Sequence, residues 1–296
     1  MIHPIQFTLS YKGSSADAYE IDLYDVAQAL VGFQRSLALT THLVLNGEII
    51  TQSPSLKGAR ILALPPRPGS WEIIAGIVLA VGAGIYKIGT APKDTPIGHL
   101  VRSAYDYVVS ETLGVPVDYD KTLRQQIETY KRQGARLPDL SVSRLDSLTE
   151  KCERAIKEMH RPIVESETAQ SAQVTATIDK KIVKVGNALT SSTYQYIDQT
   201  HVADSPDTLE GRVSSYNSNT FKGRIFLKDE GRPVPFELKE EARNALSVAQ
   251  VTNSLTMNAR FRANKKEIQG FITVKAFKNT SKSGQLKSLT IIQVST

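Results

Sequence analysis

Pro68-Gly69-Ser70-Trp71-Glu72, followed by Ile73-Ile74-Ala75-Gly76-Ile77-Val78-Leu79-Ala80-Val81-Gly82-Ala83-Gly84-Ile85-Tyr86, is the stretch on which the reading of this chain turns. Fourteen residues without a charge follow the only Trp. As a helix that run rises about 21 Å, short of a hydrocarbon core of roughly 30 Å. The ordinary reading is therefore a buried helix, or a strand running into a helix, inside a soluble core. Two other readings stay open. Trp71 and Tyr86 suit a lipid interface, and Glu72 and Lys87 can snorkel, so residues 71–89 inserted in a membrane are one. A helix apolar all round because it packs in a homo-oligomer is the other. Both take Trp71, Ile74, Val78 and Tyr86 as contact residues. The glycines at 82, 84 and 89 match neither the dinucleotide fingerprint nor a phosphate loop.

Upstream of the run, Pro4 to Tyr11 reads as a strand and Asp22 as the cap of a helix. Leu23, Val26, Leu30, Phe33, Leu37 and Val44 share that helix's core face, and Gly32 marks close packing. His42 reads as a structural histidine. Arg60 to Leu64 is a strand, Pro65 to Gly69 a rigid turn, and Ser70 to Ile74 the returning strand. Downstream, helices are expected from about Ile97 to Leu113, Asp118 to Arg132 and Ser143 to Met159. Cys152 lies on the apolar side of the last, as a small buried hydrophobe. Val174 to Val185 alternates as a hairpin around Asp179-Lys180-Lys181.

The last third is strand-rich. Thr208 to Tyr216, Thr220 to Leu227 and Pro233 to Leu238 read as strands, Lys239 to Ala249 as a helix, and Leu255 to Ala263, Glu267 to Phe277 and Leu286 to Val294 as three more strands. The order β-β-β-α-β-β-β points to a small OB-like barrel, with a small SH3-like barrel as the alternative. The fold class is therefore α+β: an N-terminal α+β domain (1–89), a helical and connecting region (90–205), and a small β-barrel (206–296).

Charge is concentrated in that barrel. Residues 207–296 carry fifteen Lys/Arg and eight Asp/Glu, a balance of +7, against +6 for the whole chain, so the other 206 residues sum to −1. Lys222 and Arg224, and Arg260 and Arg262, are two apart and would share strand faces. Phe221, Phe261 and Phe271 fall opposite their basic neighbours and read as barrel core. Tyr216, near the first turn, is the candidate platform for base stacking.

Three elements carry a resemblance: Ala29-Leu30-Val31-Gly32-Phe33, Pro68-Gly69-Ser70-Trp71-Glu72 and Gly211-Arg212-Val213-Ser214-Ser215-Tyr216-Asn217. With them the chain is similar to an uncharacterised bacterial two-part family, with an N-terminal α+β region and a C-terminal small β-barrel. The resemblance implies the two-part layout and a prokaryotic or phage source. It implies no activity and no site residues.

Catalytic patterns are missing. The five histidines have no ligand spacing, and no His-Glu-x-x-His, Cys-x-x-Cys or Gly-x-Ser-x-Gly occurs. No metal site, cofactor or enzyme activity is expected. The single cysteine suits a reducing compartment, and the N-terminus shows no secretory pattern, so the address expected is the cytoplasm, with the inner membrane as the alternative. The expected function is non-catalytic: the basic barrel binds an acidic partner, nucleic acid ahead of an acidic protein. The alternatives are a membrane-associated or pore-forming effector of a bacterial antiphage system, acting through residues 71–89, and an oligomeric scaffold subunit.

Overall fold

The computed structural model describes residues 5–65, 71–79, 96–134, 137–178, 181–198, 200–264, 270–281 and 284–295. The chain folds as two compact units, Met1–Ile197 and Asp198–Thr296.

In the first unit, β1 (Ile5–Lys12) precedes α1 (Leu23–Asn46). Asp22 caps α1 by accepting the Asp25 N–H at 2.9 Å, and Gly47 ends it at φ 70°. Then come β2 (Ala59–Leu64), β3 (Trp71–Leu79), α2 (Pro96–Thr112), α3 (Gln125–Arg132), α4 (Val142–Glu158), α5 (Arg161–Val164), β4 (Ser171–Ile178), β5 (Lys181–Leu189) and α6 (Ser191–Asp198). The five strands form one antiparallel sheet in the order β2-β3-β1-β4-β5.

The described half of the apolar run is therefore strand: the returning strand read as far as Ile74 runs on to Leu79, which corrects the helix reading over Ala75–Leu79. β3 pairs with β1 on one side and β2 on the other. Ile73, Ile74, Ile77 and Val78 are β-branched and suit a pleated surface. Ile77 is buried toward the helices and Ile74 on the opposite face, and burial on both faces produces an unbroken apolar run. Tyr86 and the rest of the run lie outside the described residues. Among the described residues no helix is long and apolar enough to cross a membrane.

Phe7 and Leu9 of β1, Phe33 and Leu37 of α1, Tyr105 of α2 and Leu148 of α4 belong to one core. Phe7 meets Tyr105 edge-on at 5.4 Å. A Cβ on Gly32 would collide with the Ala155 carbonyl oxygen, so this glycine sets how closely α1 and α4 approach. β4 and β5 come from the segment 90–205, expected as a separate connecting region. They extend the sheet beside β1, with Leu9 opposite Val174, and α2 and α4 from the same segment fill the core.

The second unit contains β6 (His201–Val202), β7 (Asp207–Asn217), β8 (Lys222–Leu227), β9 (Arg232–Leu238), α7 (Ala245–Asn264), β10 (Phe271–Thr280) and β11 (Leu286–Ser295). β7, β8 and β9 form a meander. β11 pairs in parallel with β9 and antiparallel with β10, and β10 pairs with β7, which closes a five-stranded barrel. A three-strand meander, a helix and two closing strands is the OB-type order. One expected strand is corrected: Leu255–Ala263 lies inside α7.

α7 has an unusual inner face. β10 begins at Phe271, opposite Arg212, so Val213 of β7 lacks a strand neighbour there among the described residues. Ser254 accepts the Val213 N–H at 2.9 Å and Asn258 donates to the Val213 carbonyl at 2.9 Å. The helix thus satisfies both backbone groups of Val213.

Candidate functional site

One end of the barrel gathers aromatic and cationic side chains from several elements. The β7–β8 turn is short and polar, and Asn217 accepts the Asn219 N–H at 3.0 Å. The turn leaves Phe221 at φ 56°, a left-handed conformation rare for a bulky residue. The Phe221 carbonyl accepts the Leu238 N–H at 2.9 Å, which ties the turn to the end of β9. Arg243 follows the 3-10 turn Glu240–Ala242. Its guanidinium lies 5.0 Å from the Phe221 ring centroid, donates to the Leu238 carbonyl at 2.8 Å and meets the Glu237 carboxylate at 3.1 Å. Lys222 sits half-buried at the start of β8, opposite Glu237 and Asn217.

Tyr216 pairs with Gly223 and stacks on Phe236, with centroids 6.2 Å apart and planes 10° from parallel. A Cβ on Gly223 would meet the Phe236 ring at 2.9 Å, so glycine there makes room for the aromatic pair. The Tyr216 hydroxyl is buried and, among the described residues, has no hydrogen-bond partner. Burial raises its pKa, against the pull of the Arg243 cation.

A second group lies across the barrel's outer surface. Ile225 and Leu227 enter the core, so Lys222, Arg224 and Phe226 face outward. At one level of the sheet Pro233, Phe226, Arg212 and Phe271 stand side by side on β9, β8, β7 and β10. The Arg212 guanidinium is 4.4 Å from the Phe226 centroid and 5.8 Å from that of Phe271. Cation–π contact on both sides holds it, and little of it reaches solvent. Phe271 is 37% exposed, not barrel core as its alternation suggested; Phe221 does pack against the core.

The sequence-expected contacts divide. Lys222 and Arg224 share a strand face, but Arg224 is only 6% exposed. Tyr216, level with the inward Gly223, occupies the opposite side of the sheet. Arg260 is exposed on α7, and Arg262 belongs to the same helix. Residues two apart on a helix diverge by about 200°, so the strand-face pair expected of them does not form. In the first unit, Trp71 packs edge-on against Tyr11 at 5.8 Å, Ile74 is buried within the sheet, and Val78 pairs with Arg60.

A family model described as Domain of unknown function (DUF7946) matches residues 7–198. The chain belongs to the DUF7946 family. A second model, described as Family of unknown function (DUF7947), matches residues 205–295. No curated protein and no solved structure matches the chain. The two-part layout implied by the resemblance is thus that of this DUF7946 protein, an uncharacterised two-part family, one model to each unit.

Titratable groups elsewhere in the DUF7946 chain serve its cores. Cys152 is fully buried on α4 and burial pushes its thiol up to about 12, so it behaves as a small hydrophobe. His42 is buried at the end of α1 and its Nδ1 lies 3.1 Å from the Glu48 carbonyl oxygen. Among the described residues no group of three His, Cys, Asp or Glu is placed to hold a metal ion. Arg243 and the exposed Phe271 are what sequence reading missed. Arg243 reaches Phe221 only through barrel closure, and no local spacing announces it. The Phe271 signal was its pairing partner, which needed the register.

Proposed function

We propose that this protein is a non-catalytic binding protein whose barrel takes an acidic partner, nucleic acid first. The observation that carries the reading is the group at the β7–β8 end, where Arg243 lies over the Phe221 ring and near Tyr216, with Lys222 at the start of β8 on the outer face of the sheet. In OB-type barrels the strand 2–3 face and the loop between the first two strands are where oligonucleotides bind. Cations there meet phosphates and aromatic rings offer sequence-tolerant stacking. The balance of +7 over residues 207–296 supplies the steering field.

A labelled single-stranded oligonucleotide titrated with full-length protein tests this. Affinity is expected to fall with rising salt, by about 0.7 log units per log unit of salt for each phosphate contact. The double change Lys222→Gln and Arg243→Gln is expected to weaken binding about ten-fold or more and to flatten that slope by about 1.4. Arg224 is a poor probe, because altering a buried arginine disturbs the barrel itself. Binding that ignores both salt and the double change sinks the proposal. Salt-dependent capture of an acidic protein with no oligonucleotide binding would keep the surface and change the partner.

A further inference from the structure

The first unit has a surface that the barrel reading leaves unused. Residues 13–25, with the adjoining Lys12, and residues 161–170 are knitted together. Ala16 N–H donates to the Thr168 carbonyl at 2.9 Å, Gln170 N–H to the Lys12 carbonyl at 2.8 Å, and Arg161 bonds Asp25 at 2.9 Å. On these segments Tyr19, Leu23 and Tyr24 are 59%, 81% and 65% exposed. Leu23, Ala27 and Val31 follow at successive four-residue steps on α1, and Val31 is 62% exposed. No other stretch of the described residues exposes so many large apolar side chains. Scattered apolar residues need no explanation, but a contiguous set marks an interaction surface.

Two further features belong to the same place. Ser14, Ile163, Glu167, Ala169 and Gln170, with Ser191 of α6, line a cavity of about 350 Å³. Around the apolar set stand the exposed carboxylates Asp17, Glu20, Asp22, Glu165 and Glu167. Arg161 and the exposed Lys12, which adjoins the first segment, are the cations here, against five exposed carboxylates. Arg161 is engaged by Asp25 and by Glu158 at 3.8 Å, with its guanidinium 5.3 Å from the Tyr24 ring centroid. The backbone is also held in costly conformations: Ser14, Tyr19 and Glu167 have φ of 56°, 64° and 54°.

We propose that this surface docks a cationic protein segment with large apolar anchors. The anchors lie on Tyr19, Leu23, Tyr24 and Val31, and a lysine or arginine enters the cavity. Ile163 and Ala169 suit the methylene stem, and Glu167, Gln170, Ser14 and Ser191 offer acceptors to the charged head. Charge decides the occupant. Nucleic acid and anionic lipid meet five carboxylates, and a second copy of the same face brings five more. A basic partner converts that rim into attraction around an apolar centre, the usual plan of a protein interface.

The test uses full-length protein and a labelled amphipathic peptide of lysine, leucine and tryptophan, followed by fluorescence anisotropy. Two control peptides accompany it: the glutamate-for-lysine isomer, and a lysine–serine peptide of equal charge. The amphipathic cationic peptide is expected to bind at least about ten-fold more tightly than either. Leu23→Asp is expected to cost about ten-fold in that affinity and Glu167→Gln about three-fold, with thermal unfolding unchanged because both side chains are exposed. Equal binding of the lysine–serine peptide, or indifference to Leu23→Asp, overturns the proposal. So does a self-associated species in sedimentation that Leu23→Asp dissolves, since the occupant would then be a second copy. The barrel's oligonucleotide affinity should not move in either variant, so the two surfaces stand or fall separately.

Discussion

Helix α4 of the first unit turns Leu145, Leu148, Cys152 and Ile156 inward, all of them apolar and fully buried. Helix α7 of the barrel turns in Ser247, Val251, Ser254 and Asn258, three of which are polar. The contrast follows from what each helix faces. α4 packs against α1, whose backbone groups are bonded within the helix, so the contact asks only for shape. Gly32 and the Ala155 carbonyl supply it. α7 faces Val213, which among the described residues has no partner on β10. A purely apolar α7 would strand the Val213 N–H and carbonyl without partners, at roughly 1–3 kcal/mol each. Ser254 also donates to the Gly270 carbonyl at 2.5 Å, so one hydroxyl closes the gap between β7 and the start of β10. The polar inner face of α7 follows from its bonding to strand backbone.

The largest expected effect tests the apolar side of this contrast. Leu148→Ala removes a fully buried side chain from the first unit's core and is expected to destabilise that unit by about 2–5 kcal/mol, read as a lower denaturant midpoint. The barrel's transition should stay in place. A shift of both transitions together would mean that the two units do not unfold independently.

Acid is the next lever, and it acts on the first unit. His160 is fully buried, with Nδ1 3.0 Å from the Ile156 carbonyl and Nε2 3.0 Å from the Thr193 hydroxyl. Burial lowers its pKa from 6.5 to about 4, only partly opposed by backbone hydrogen bonds. The folded unit therefore binds this proton less readily than the unfolded chain. Stability is full above about pH 6.5 and falls as pH drops toward 4, by about 3 kcal/mol over the whole window. His160→Gln should flatten that decline, whatever it costs at neutral pH. An unchanged acid profile in the variant would mean that other groups govern acid unfolding.

Asn258→Ala probes the polar side. The Val213 carbonyl loses its donor, and a loss of about 1–3 kcal/mol is expected in the barrel's transition alone. Ser254→Ala should cost a similar amount through the Val213 N–H. If both changes are silent, the polar face of α7 is incidental and the comparison with α4 fails.

That comparison also explains what could be read in the sequence. α1, α2 and α4 bury apolar residues at helical spacing, and most of their positions follow from it; Leu23, read on the core face of α1, is instead 81% exposed, because it shares the outer face with Ala27 and Val31. The first three barrel strands are marked by turns at Asn217–Asn219 and Asp229–Gly231. β3 was legible only as far as Ile74, because a strand buried on both faces loses its alternation. α7 was cut short because three of its four inward residues are polar, so its second half looked like a strand instead. The arginine pair at 260 and 262 inherited that error. Lys222 and Tyr216 could be placed by their nearness to a turn. The burial of Arg224 could not, because it depends on neighbouring strands, with Ser215 and Pro235 opposite it.

The smallest expected effect distinguishes helix from strand at that misread segment. If Arg260 stood on a barrel strand beside Arg262, reversing its charge would strike the same phosphate-binding face as Lys222. On α7 it is exposed and lies outside the sheet, so Arg260→Glu is expected to change stability by less than about 0.5 kcal/mol. Its effect on oligonucleotide affinity should be the uniform, salt-screened one of a distant charge, smaller than that of the Lys222 and Arg243 double change. Anisotropy at low and high salt separates the cases. A loss that vanishes at high salt marks a contribution to the field alone. A loss that persists would bring α7 into the contact surface, and the binding face would then extend from the β7–β8 end onto the helix.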